Sequence, residues 1–405
     1  MKISKHIPLF FMLLIFLLVC FVSHKGEACT TAIISPAASN DNIPMLWKNR
    51  DTDFLSNKVV YVEAVPYSYI GLTNAEAASG RYVYTGLNSQ GFGIMNSVAY
   101  NLPEKSGEMK DLEGLIMADA LRTCRTVDDF ENYIKVNTGA DLGSWANFGV
   151  IDASGNAVIF EVHNHGYKKY DAALSPEKYL INSNFSRSGK EGKGAGYIRF
   201  DRATLLFSKI PLKKISPQYI FENISRDFGH TMVQHPSLDQ LKKTSVNEPV
   251  WVSVRDTINR PSTSAAVIIC GKKQNAPKNA SSLATFWVAL GEPLTTIAVP
   301  VWVESKTTPA ALRDGENAPI YTESSRIRAF IHPYTESDRE NYMLASRLVN
   351  KENTGYLPII RKAEAKIFEE TQRFLASKSN FTPGELAAFQ EKMAQEALTA
   401  LKEIK

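Results

Sequence analysis

The sequence predicts an α+β fold, in which strands and helices occur in separate blocks along the chain. Strand patterns dominate residues 29–100 and return at 146–184, while helical spacing occupies 111–136 and the end of the chain. A regular alternation of strands and helices, which would indicate a doubly wound parallel sheet, does not fit this order. Apolar residues make up 44% and charged residues 22% of the 405 residues, so the composition is globular and excludes wholesale disorder.

The first block of strands is rich in β-branched and aromatic residues and is divided by turn residues. A polar turn at 39–42 separates its first two strands, and the turn at 88–91 joins two runs that indicate a hairpin. We therefore predict strands at 29–34, 44–47, 59–65, 67–73, 81–87 and 92–100.

Helical spacing begins at 111, and apolar residues then recur every three or four positions up to 136. Further helices are predicted at 198–206, at 217–228 behind Ser216 as N-cap, and in the tail. Thr382 and Glu385 have the spacing of a capping box at the start of the last helix. The remaining predictions are strands at 146–151, 157–163, 179–184, 265–270, 285–290 and 295–303, and tail helices at 359–375 and 384–401.

The first 28 residues have the three parts of a secretory signal peptide. Lys2 and Lys5 supply positive charge, residues 8–22 are apolar, and Ala28 ends a site suited to signal peptidase. The apolar run is shorter than the about 20 residues of a membrane span, and a short membrane anchor is the alternative interpretation. Cleavage after Ala28, by signal peptidase or by self-cleavage, would make Cys29 the first residue.

A cysteine at the N-terminus carries its own base, because a free α-amino group titrates near neutral pH. The amine can take the thiol proton directly or through water, and the thiolate can then attack a carbonyl carbon. The other interpretation of Cys29 is a lipoprotein cysteine, whose thiol carries lipid. Gly26 stands where that signal normally has leucine, so the nucleophile is the preferred interpretation.

The segment that follows the second predicted strand is unusually polar. It contains Lys48, Arg50, Asp51 and Asp53 within a few residues. A carboxylate near an N-terminal cysteine would orient its amine and tune its thiol. A solvated strand end accounts for the same composition, so the segment alone does not assign a role.

Three later residues are polar at positions where the pattern favours apolar side chains. Asn96 lies inside a returning strand, Asn182 ends a short strand, and Arg199 begins a helix. The amide of Asn96 could donate to an oxyanion, although a core asparagine bonded to the backbone fits as well. Arg199 and Arg202 share a helical face, which is also typical of surface residues.

Taken together and in chain order, these segments resemble the N-terminal nucleophile (Ntn) hydrolases of the choloylglycine hydrolase and isopenicillin N acyltransferase group. Penicillin V acylases and acid ceramidase are further relatives. The resemblance covers about residues 29–303; the acyltransferase-like branch is the more similar one, and bile-salt hydrolase proper is less similar. It is carried by Cys29-Thr30, Asn49-Arg50-Asp51, the run 86–94 leading to Asn96, Ile181-Asn182-Ser183 and Gly291-Glu292-Pro293.

The resemblance implies that Cys29 is the nucleophile and, through its α-amine, the base. It implies that Asp51 holds this amine, that Asn96 and Asn182 lie near the oxyanion, and that Arg199 lies beside the nucleophile. It also implies a four-layer αββα sandwich of two antiparallel sheets flanked by helices. A catalytic domain is then expected over 29–350, with a helical extension over 351–405 packed on it.

This chain departs from the family pattern at one position. Lys48 stands three residues before Asp51, where relatives often carry arginine. Arg50 stands three residues before Asp53, and that pair would keep the usual spacing if the carboxylate were Asp53. We prefer Asp51 because Asn49 then keeps its family place, and the thiol-tuning role of the arginine would pass to Lys48.

The predicted activity is hydrolysis of a linear amide, a carbon–nitrogen bond other than a peptide bond, through a thioester on Cys29. A second amine could replace water, which would make the enzyme an acyltransferase. The expected partner is a small N-acyl amide, the location is extracellular or periplasmic with membrane contact only during export, and the chain is expected to form a dimer or tetramer. The rival hypothesis is a secreted or lipid-anchored binding protein attached through Cys29.

Several classes of partner and cofactor are not expected. The 46 basic residues against 42 acidic ones give a net charge of only +4, so no bulk field favours nucleic acid. Four cysteines are too few for a disulfide scaffold. His163 and His165 alternate on a predicted strand without a third ligand at a matching spacing, and we predict neither a metal nor another cofactor.

Overall fold

The chain folds into two large antiparallel sheets with helices outside them. A computed structural model describes residues 28–77, 79–103, 110–273 and 282–405, so residues 1–27 of the predicted signal peptide lie outside the described residues. Within these ranges, the strands form a six-stranded sheet, a seven-stranded sheet and a two-stranded ribbon.

The six-stranded sheet carries the start of the predicted mature chain. Its strands, numbered in chain order, are β1 (Thr30–Ile34), β2 (Met45–Asp51), β10 (Tyr179–Asn182), β12 (Thr263–Cys270), β13 (Thr285–Leu290) and β14 (Ala298–Val301). They lie in the order β10-β1-β2-β12-β13-β14, with β1 antiparallel to both neighbours. Thr31 pairs with Asn182 on one side and with Lys48 on the other, so distant polar segments meet beside β1.

The seven-stranded sheet is a simple meander, because its strands pair in chain order. They are β3 (Asn57–Val62), β4 (Tyr69–Asn74), β5 (Thr85–Asn88), β6 (Gly93–Val98), β7 (Trp145–Ile151), β8 (Ala157–His163) and β9 (Gly166–Asp171). The edge strand β9 was not predicted, because its lysines break the apolar alternation. Lysines are common on such edges, where they oppose pairing with another chain. The ribbon pairs β11 (Trp251–Ser253) with β15 (Tyr342–Leu344).

The two sheets pack face to face, and their shared interior is the centre of the larger apolar core. Leu46 of β2 and Met95 of β6 meet at Gly149 of β7. A Cβ atom at Gly149 would lie 2.7 Å from Met95 Cε and 3.4 Å from Leu46 Cδ2. A larger residue would therefore push the sheets apart at this point.

Helices cover the outer face of each sheet. They are α1 (Glu113–Thr123), α2 (Val127–Asn137), α3 (Tyr197–Ser208), α4 (Pro217–Ile220), α5 (Leu238–Leu241), α6 (Ala310–Arg313), α7 (Pro319–Ile331), α8 (Leu357–Ser377) and α9 (Pro383–Glu403). Phe130 of α2 packs on Phe148 and Phe160 of the seven-stranded sheet, with ring centroids 5.7 and 5.3 Å apart. Trp287 of β13 stacks on Phe368 of α8 at 4.0 Å. The predicted α+β class and four-layer αββα arrangement are confirmed.

The helix predicted over 111–136 is instead two helices. Cys124 has an extended backbone and ends α1. Thr126 then starts α2, because its side chain accepts from the N–H of Asp129 while the Asp129 carboxylate accepts from the N–H of Thr126. A capping box of this kind satisfies free N–H groups at the first turn of a helix with side-chain oxygens. It therefore marks the start of a separate helix. The apolar spacing alone did not reveal this interruption.

Two other helical predictions also need correction. The helix predicted over 217–228 begins as expected behind Ser216 but ends at Ile220, and Phe221–Ser225 continues as a π-helical turn. Helix α7 was missed, although Pro319 at its first turn and the buried Ile320, Ile327 and Ile331 give it a sequence signal. The tail helices and the capping box of Thr382 with Glu385 are confirmed.

Candidate active site

Cys29 lies directly before β1, the second strand from one edge of the six-stranded sheet, and only 4% of it is exposed. Ala28 extends the pairing of β1 with β2, since its N–H donates to the carbonyl oxygen of Asp51 at 3.2 Å. Side chains alternate between the two faces of a strand, so Cys29 faces the same side as Thr31. This is the side of the second sheet, which Lys48, the partner of Thr31, also reaches.

Arg199, on helix α3, donates hydrogen bonds to several residues around Cys29. Its Nη1 donates to the carbonyl oxygen of Cys29 at 2.7 Å and to Oγ1 of Thr30 at 2.8 Å. Its Nη2 donates to Oδ1 of Asn184 at 2.7 Å. Burial lowers the pKa of Arg199 to about 10, and the guanidinium therefore stays charged at neutral pH.

A glycine lets helix α3 bring Arg199 into this position. Gly196 caps the helix with φ +79°, a region that residues with a side chain rarely adopt. A Cβ atom on Gly196 would lie 2.4 Å from Nη2 of Arg199 and 2.9 Å from Oγ of Ser183. Gly196 is therefore needed for both the turn and the close approach.

The Asp51 carboxylate is buried beside the predicted cleavage junction, where Arg260 and Thr263 hold it. Its Oδ2 accepts from Nε of Arg260 at 2.9 Å and lies 2.8 Å from Nη2 of the same residue. Its Oδ1 accepts from Oγ1 of Thr263 at 2.7 Å. Arg199 Nη1 lies 3.9 Å from Oδ2, so two guanidinium groups flank one carboxylate.

Asp53, the alternative carboxylate, is exposed. It lines a cavity of about 470 Å³ together with Ala28, Arg255, Asp256 and Arg260. Asp51 is the carboxylate that is buried in contact with Arg260 and Thr263 and lies 3.9 Å from Arg199, whereas Asp53 lies in the neighbouring cavity.

Lys48 connects the two sheets at the site. Its buried Nζ donates to Oδ1 of Asn96 at 2.7 Å and to the carbonyl oxygen of Tyr84 at 2.8 Å. Because the oxygen of the Asn96 amide faces Lys48, its Nδ2 is the end that can donate to another group. The structure thus joins Lys48 to the predicted oxyanion residue.

Asn182 is oriented by a cation that the sequence reasoning missed. Its Oδ1 accepts from Nη1 of Arg187 at 2.7 Å, while Nη2 of Arg187 donates to the carbonyl oxygen of Ile181 at 2.6 Å. The buried Glu161 braces this turn by accepting from the N–H of Arg187 at 2.6 Å and of Ser188 at 2.7 Å. The Nδ2 of Asn182, like that of Asn96, is left as the donor end.

The Arg50 side chain contacts residues of the seven-stranded sheet and the segment before it. Its guanidinium carbon lies 3.4 Å from the centroid of the Tyr84 ring, and its Nη1 donates to Oδ1 of Asn57 on β3. Arg50 therefore links the two sheets beside Lys48, through stacking and a hydrogen bond.

Arg260 and Thr263, which hold Asp51, were also missed by sequence reasoning. Arg260 precedes β12 and Thr263 is its first residue, and both lie more than 200 residues along the chain from Asp51. Only the strand prediction at 265–270 pointed to this region, and nothing in the local pattern distinguishes Arg260 from a surface arginine. Such long-range partners become visible only when the strands are paired.

The described ranges, 28–77, 79–103, 110–273 and 282–405, contain neither a candidate metal centre nor a candidate membrane span. No group of three or more His, Cys, Asp or Glu side chains there could hold a metal ion. No helix in the same ranges is long and apolar enough to cross a membrane. His163 and His165 contact each other locally, since Nδ1 of His163 accepts from the N–H of His165 at 3.2 Å.

The fold and the site together define a layered αββα protein with a buried cysteine directly before an inner strand of one sheet. The cysteine backbone contacts one arginine, and the adjoining carboxylate is flanked by two. In the amides of Asn96 and Asn182, the oxygen accepts a hydrogen bond from a cation, which leaves Nδ2 as the donor end. This arrangement can support nucleophilic chemistry at a carbonyl carbon.

Comparison with solved structures finds several similar chains. The Caenorhabditis elegans ortholog of N-acylethanolamine-hydrolyzing acid amidase is 16% identical, covering 60% of this chain and 92% of its own, with a TM-score of 0.41. Penicillin V acylase from Agrobacterium tumefaciens is 16% identical, covering 67% and 86%, with a TM-score of 0.38. A variant of conjugated bile acid hydrolase from Clostridium perfringens is 12% identical, covering 64% and 89%, with a TM-score of 0.37.

Two of these structures, a penicillin V acylase and a bile acid hydrolase, are of enzyme types that the sequence resemblance also named. No protein-family model matches the chain, and no curated protein matches it. The layered arrangement described above follows from this chain's own strands and helices.

Proposed function

We propose that this chain is an exported cysteine amidase that cleaves linear N-acyl amides through a thioester on Cys29. One observation carries the proposal: Arg199 bonds the Cys29 carbonyl at 2.7 Å and lies 3.9 Å from Asp51. A thiol-bearing residue, a carboxylate and a fixed cation thus share one buried site. Export rests on the signal-type leader, whose removal after Ala28 frees the α-amine of Cys29.

The freed α-amine acts as the base. It accepts the thiol proton, and Sγ of Cys29 forms a bond to the amide carbon of the substrate. The amine of the substrate then leaves with that proton as the carbon–nitrogen bond breaks, and the acyl group remains on sulfur. Water attacks the thioester in the second half, which releases the acid and restores the thiol; a second amine in place of water gives acyl transfer.

Each tetrahedral intermediate carries a negative charge on oxygen. The Nδ2 groups of Asn96 and Asn182 stabilise this charge. Lys48 and Arg187 keep the oxygens of Asn96 and Asn182 turned toward themselves, so each Nδ2 can donate. Donors held in place before the reaction stabilise the oxyanion without reorganisation. Asp51 orients the amine of Cys29, and its bonds to Arg260 and Thr263 keep the carboxylate in position.

A panel of N-acyl amides, differing in acyl chain and in amine, tests this proposal with exported protein. The wild type should hydrolyse at least one class and form a mass adduct on Cys29, and Cys29→Ser should form no thioester. Cys124→Ser is the matched control, since burial raises the pKa of the Cys124 thiol to about 12 and keeps it unreactive.

The rival hypothesis makes a different prediction for the intact mass of the mature chain. Lipid on Cys29 would block both the amine and the sulfur, and the protein would then be an anchored binding protein. A chain that begins with unmodified Cys29, and that turns over an N-acyl amide, excludes that alternative.

A further inference from the structure

We propose that Glu292 is a positioning residue for Arg260, because it holds the chain on both sides of that arginine. The proposal rests on the proposed function and deepens it by giving a role to the Gly291-Glu292-Pro293 motif, which the proposed mechanism does not use. Glu292 is buried, with 2% of the residue exposed. Its carboxylate contacts two side chains that hold residues 259 and 261, the neighbours of Arg260 in the chain.

The motif places Glu292 directly after strand β13. Gly291 follows the strand with φ +108°, a region that suits glycine, and a Cβ atom there would lie 2.1 Å from Oγ of Ser324. Pro293, whose ring fixes its own φ, then begins a 3₁₀ turn. The chain therefore turns in close contact with α7, and the Glu292 side chain between the two turns is fully buried.

The first link runs through Asn259, which is buried and directly precedes Arg260. Nδ2 of Asn259 donates to Oε1 of Glu292 at 2.6 Å. Oδ1 of Asn259 accepts from the N–H of Leu294 at 3.2 Å, and the N–H of Asn259 donates to the carbonyl oxygen of Asp227 at 2.9 Å. Because both ends of the side-chain amide are bonded to residues 292–294, the position of Asn259 follows that of Glu292.

The second link runs through Arg328 of helix α7. Nε of Arg328 lies 3.3 Å from Oε2 of Glu292, and Nη2 of Arg328 donates to the carbonyl oxygen of Pro261 at 3.0 Å. Four residues further along, Nε2 of His332 lies 3.1 Å from Oε1 of Glu292. Residues four apart share a helical face, so α7 meets this carboxylate at two points. A buried carboxylate needs such partners, and these fix it in one place.

The position of Arg260 matters because its guanidinium contacts two groups beside the nucleophile. Its Nη2 lies 2.8 Å from Oδ2 of Asp51 and 3.4 Å from the carbonyl oxygen of Ala28. Removal of Ala28 turns the nitrogen of that peptide bond into the α-amine of Cys29, so Arg260 is then a cation beside the base. A cation in this place lowers the pKa of the amine and keeps it able to accept the thiol proton.

Exported protein whose intact mass shows that it begins at Cys29 tests the proposal. With an N-acyl amide that the wild type hydrolyses, Glu292→Gln should lower the acylation rate by about 10²-fold, the loss that a misplacement of about 1 Å produces. The acidic limb of its pH–rate profile should move to higher pH, because Arg260 is then displaced from the amine. Glu292→Asp keeps the charge on a shorter side chain and should recover part of the rate.

A double-variant cycle separates positioning from any other effect of the substitution. If Glu292 acts through Arg260, then Glu292→Gln should have no further effect on acylation in Arg260→Gln protein, whereas an independent effect would add. Equal effects in the two backgrounds overturn the proposal. Asp152→Asn is the matched control, since it removes a buried carboxylate that accepts from the N–H of Val127 at 3.0 Å in the turn after β7. It should keep the wild-type pH–rate profile.

Arg328→Gln carries the test if Glu292→Gln does not fold, since the Arg328 side chain is 22% exposed and the substitution removes only the link to Pro261. It should move the acidic limb in the same direction by a smaller amount. A far-ultraviolet circular dichroism spectrum identifies the variants that fold. Folded variants at both positions with wild-type profiles overturn the proposal.

Alkylation of Cys29 by iodoacetamide across pH gives a second measurement that needs no substrate. Loss of a nearby cation raises the pKa of the thiol as well as that of the amine, so Glu292→Gln should move the alkylation profile to higher pH. Arg260→Gln should move it in the same direction. If the wild type hydrolyses no N-acyl amide, the proposed function fails while this measurement still tests the role of Glu292, so the two failures are distinguishable.

Discussion

Each of two asparagine amides near the head of β1 is held by one cation. Lys48 fixes Asn96 across the two sheets, and Arg187 fixes Asn182 at the end of β10. An asparagine can present either its oxygen or its nitrogen to a substrate, so the cation decides which end is offered. At the scale of single residues, the proposed site depends on these supporting cations as much as on the amides.

Replacing Asn182 with alanine should lower the turnover of an N-acyl amide by about 10²–10³. The rate at which iodoacetamide alkylates Cys29 should stay close to the wild-type rate, because an oxyanion donor acts only after the carbonyl is attacked. Arg187→Gln should lower kcat less, and Arg187→Lys should recover part of the loss. Near-normal turnover in Asn182→Ala would show that this residue was assigned incorrectly.

Replacing Asp51 with asparagine should slow acylation and change the acidic limb of the pH–rate profile. The reason is that Asp51 is proposed to orient the α-amine, which is the base that takes the thiol proton. Asp53→Asn is the control, since Asp53 is exposed and lies in the neighbouring cavity. Stopped-flow acylation across pH distinguishes them, and a larger effect from Asp53→Asn would transfer the role to that residue.

Among the helices, α1 begins with a carboxyl group that is buried against the seven-stranded sheet. Oε1 of Glu113 accepts from the N–H of Trp145 at 3.0 Å and from Oγ of Ser144 at 3.1 Å. Burial, followed by the neighbouring Asp111, raises the pKa of Glu113 to about 8. The protonated form is therefore favoured in the folded chain near neutral pH.

This raised pKa predicts a pH-dependent stability. Between the ordinary value of 4.5 and about 8, the folded chain holds a proton that the unfolded chain has lost. The contribution of Glu113 to the free energy of unfolding should therefore fall as pH rises, by at most about 1.4 kcal/mol per pH unit. Denaturant unfolding from pH 5 to 8 should show this slope, and Glu113→Gln should remove it and be more stable than the wild type at pH 8.

Glu131 on α2 provides a control with the opposite sign. Its bond to Lys169 lowers the pKa of its carboxylate to about 2, so its stabilising effect is present above its ordinary pKa and is lost as pH falls. Glu131→Gln should therefore lose, not gain, stability at pH 8. The same direction of change in both variants would contradict the assignment.

Across the whole molecule, the C-terminal helices belong to the packed core. Glu364 of α8 forms a buried two-point ion pair with Arg226, with both distances 2.7 Å, and accepts from the N–H of Ala298 on β14 at 2.8 Å. Phe374 of α8 stacks on Phe389 of α9 with centroids 3.9 Å apart. The region 351–405, predicted as an extension, therefore covers the outer face of the six-stranded sheet.

Glu364→Ala should destabilise the protein by about 3–5 kcal/mol, because it leaves the Arg226 guanidinium buried without its carboxylate. Glu396→Ala is the matched control, since it breaks an ion pair with Lys366, whose side chain is 58% exposed. Its cost should stay below about 1 kcal/mol. Denaturant unfolding measures both, and equal small effects would mean that the buried ion pair does not anchor α8.

Much of the fold could be predicted from local patterns. The capping box of Thr382 with Glu385 and the N-cap of Ser216 were correct because a helix start depends on residues three or four positions apart. The break between α1 and α2 was missed, since the apolar spacing continues across it. Strand β9 was missed because an exposed edge strand carries little apolar alternation.

The sequence by itself determined the nucleophile candidate and the residue types around it, because a cleavable leader and a cysteine are adjacent in the chain. Only the tertiary structure revealed that Asp51 is buried against Arg260 and Thr263 whereas Asp53 is exposed, and only it revealed Arg187 as the partner of Asn182. Hydrogen bonds act over about 3 Å in space, whatever the separation along the chain. Arg260 lies 209 residues from Asp51, and the pairing of β2 with β12 is what brings them into contact.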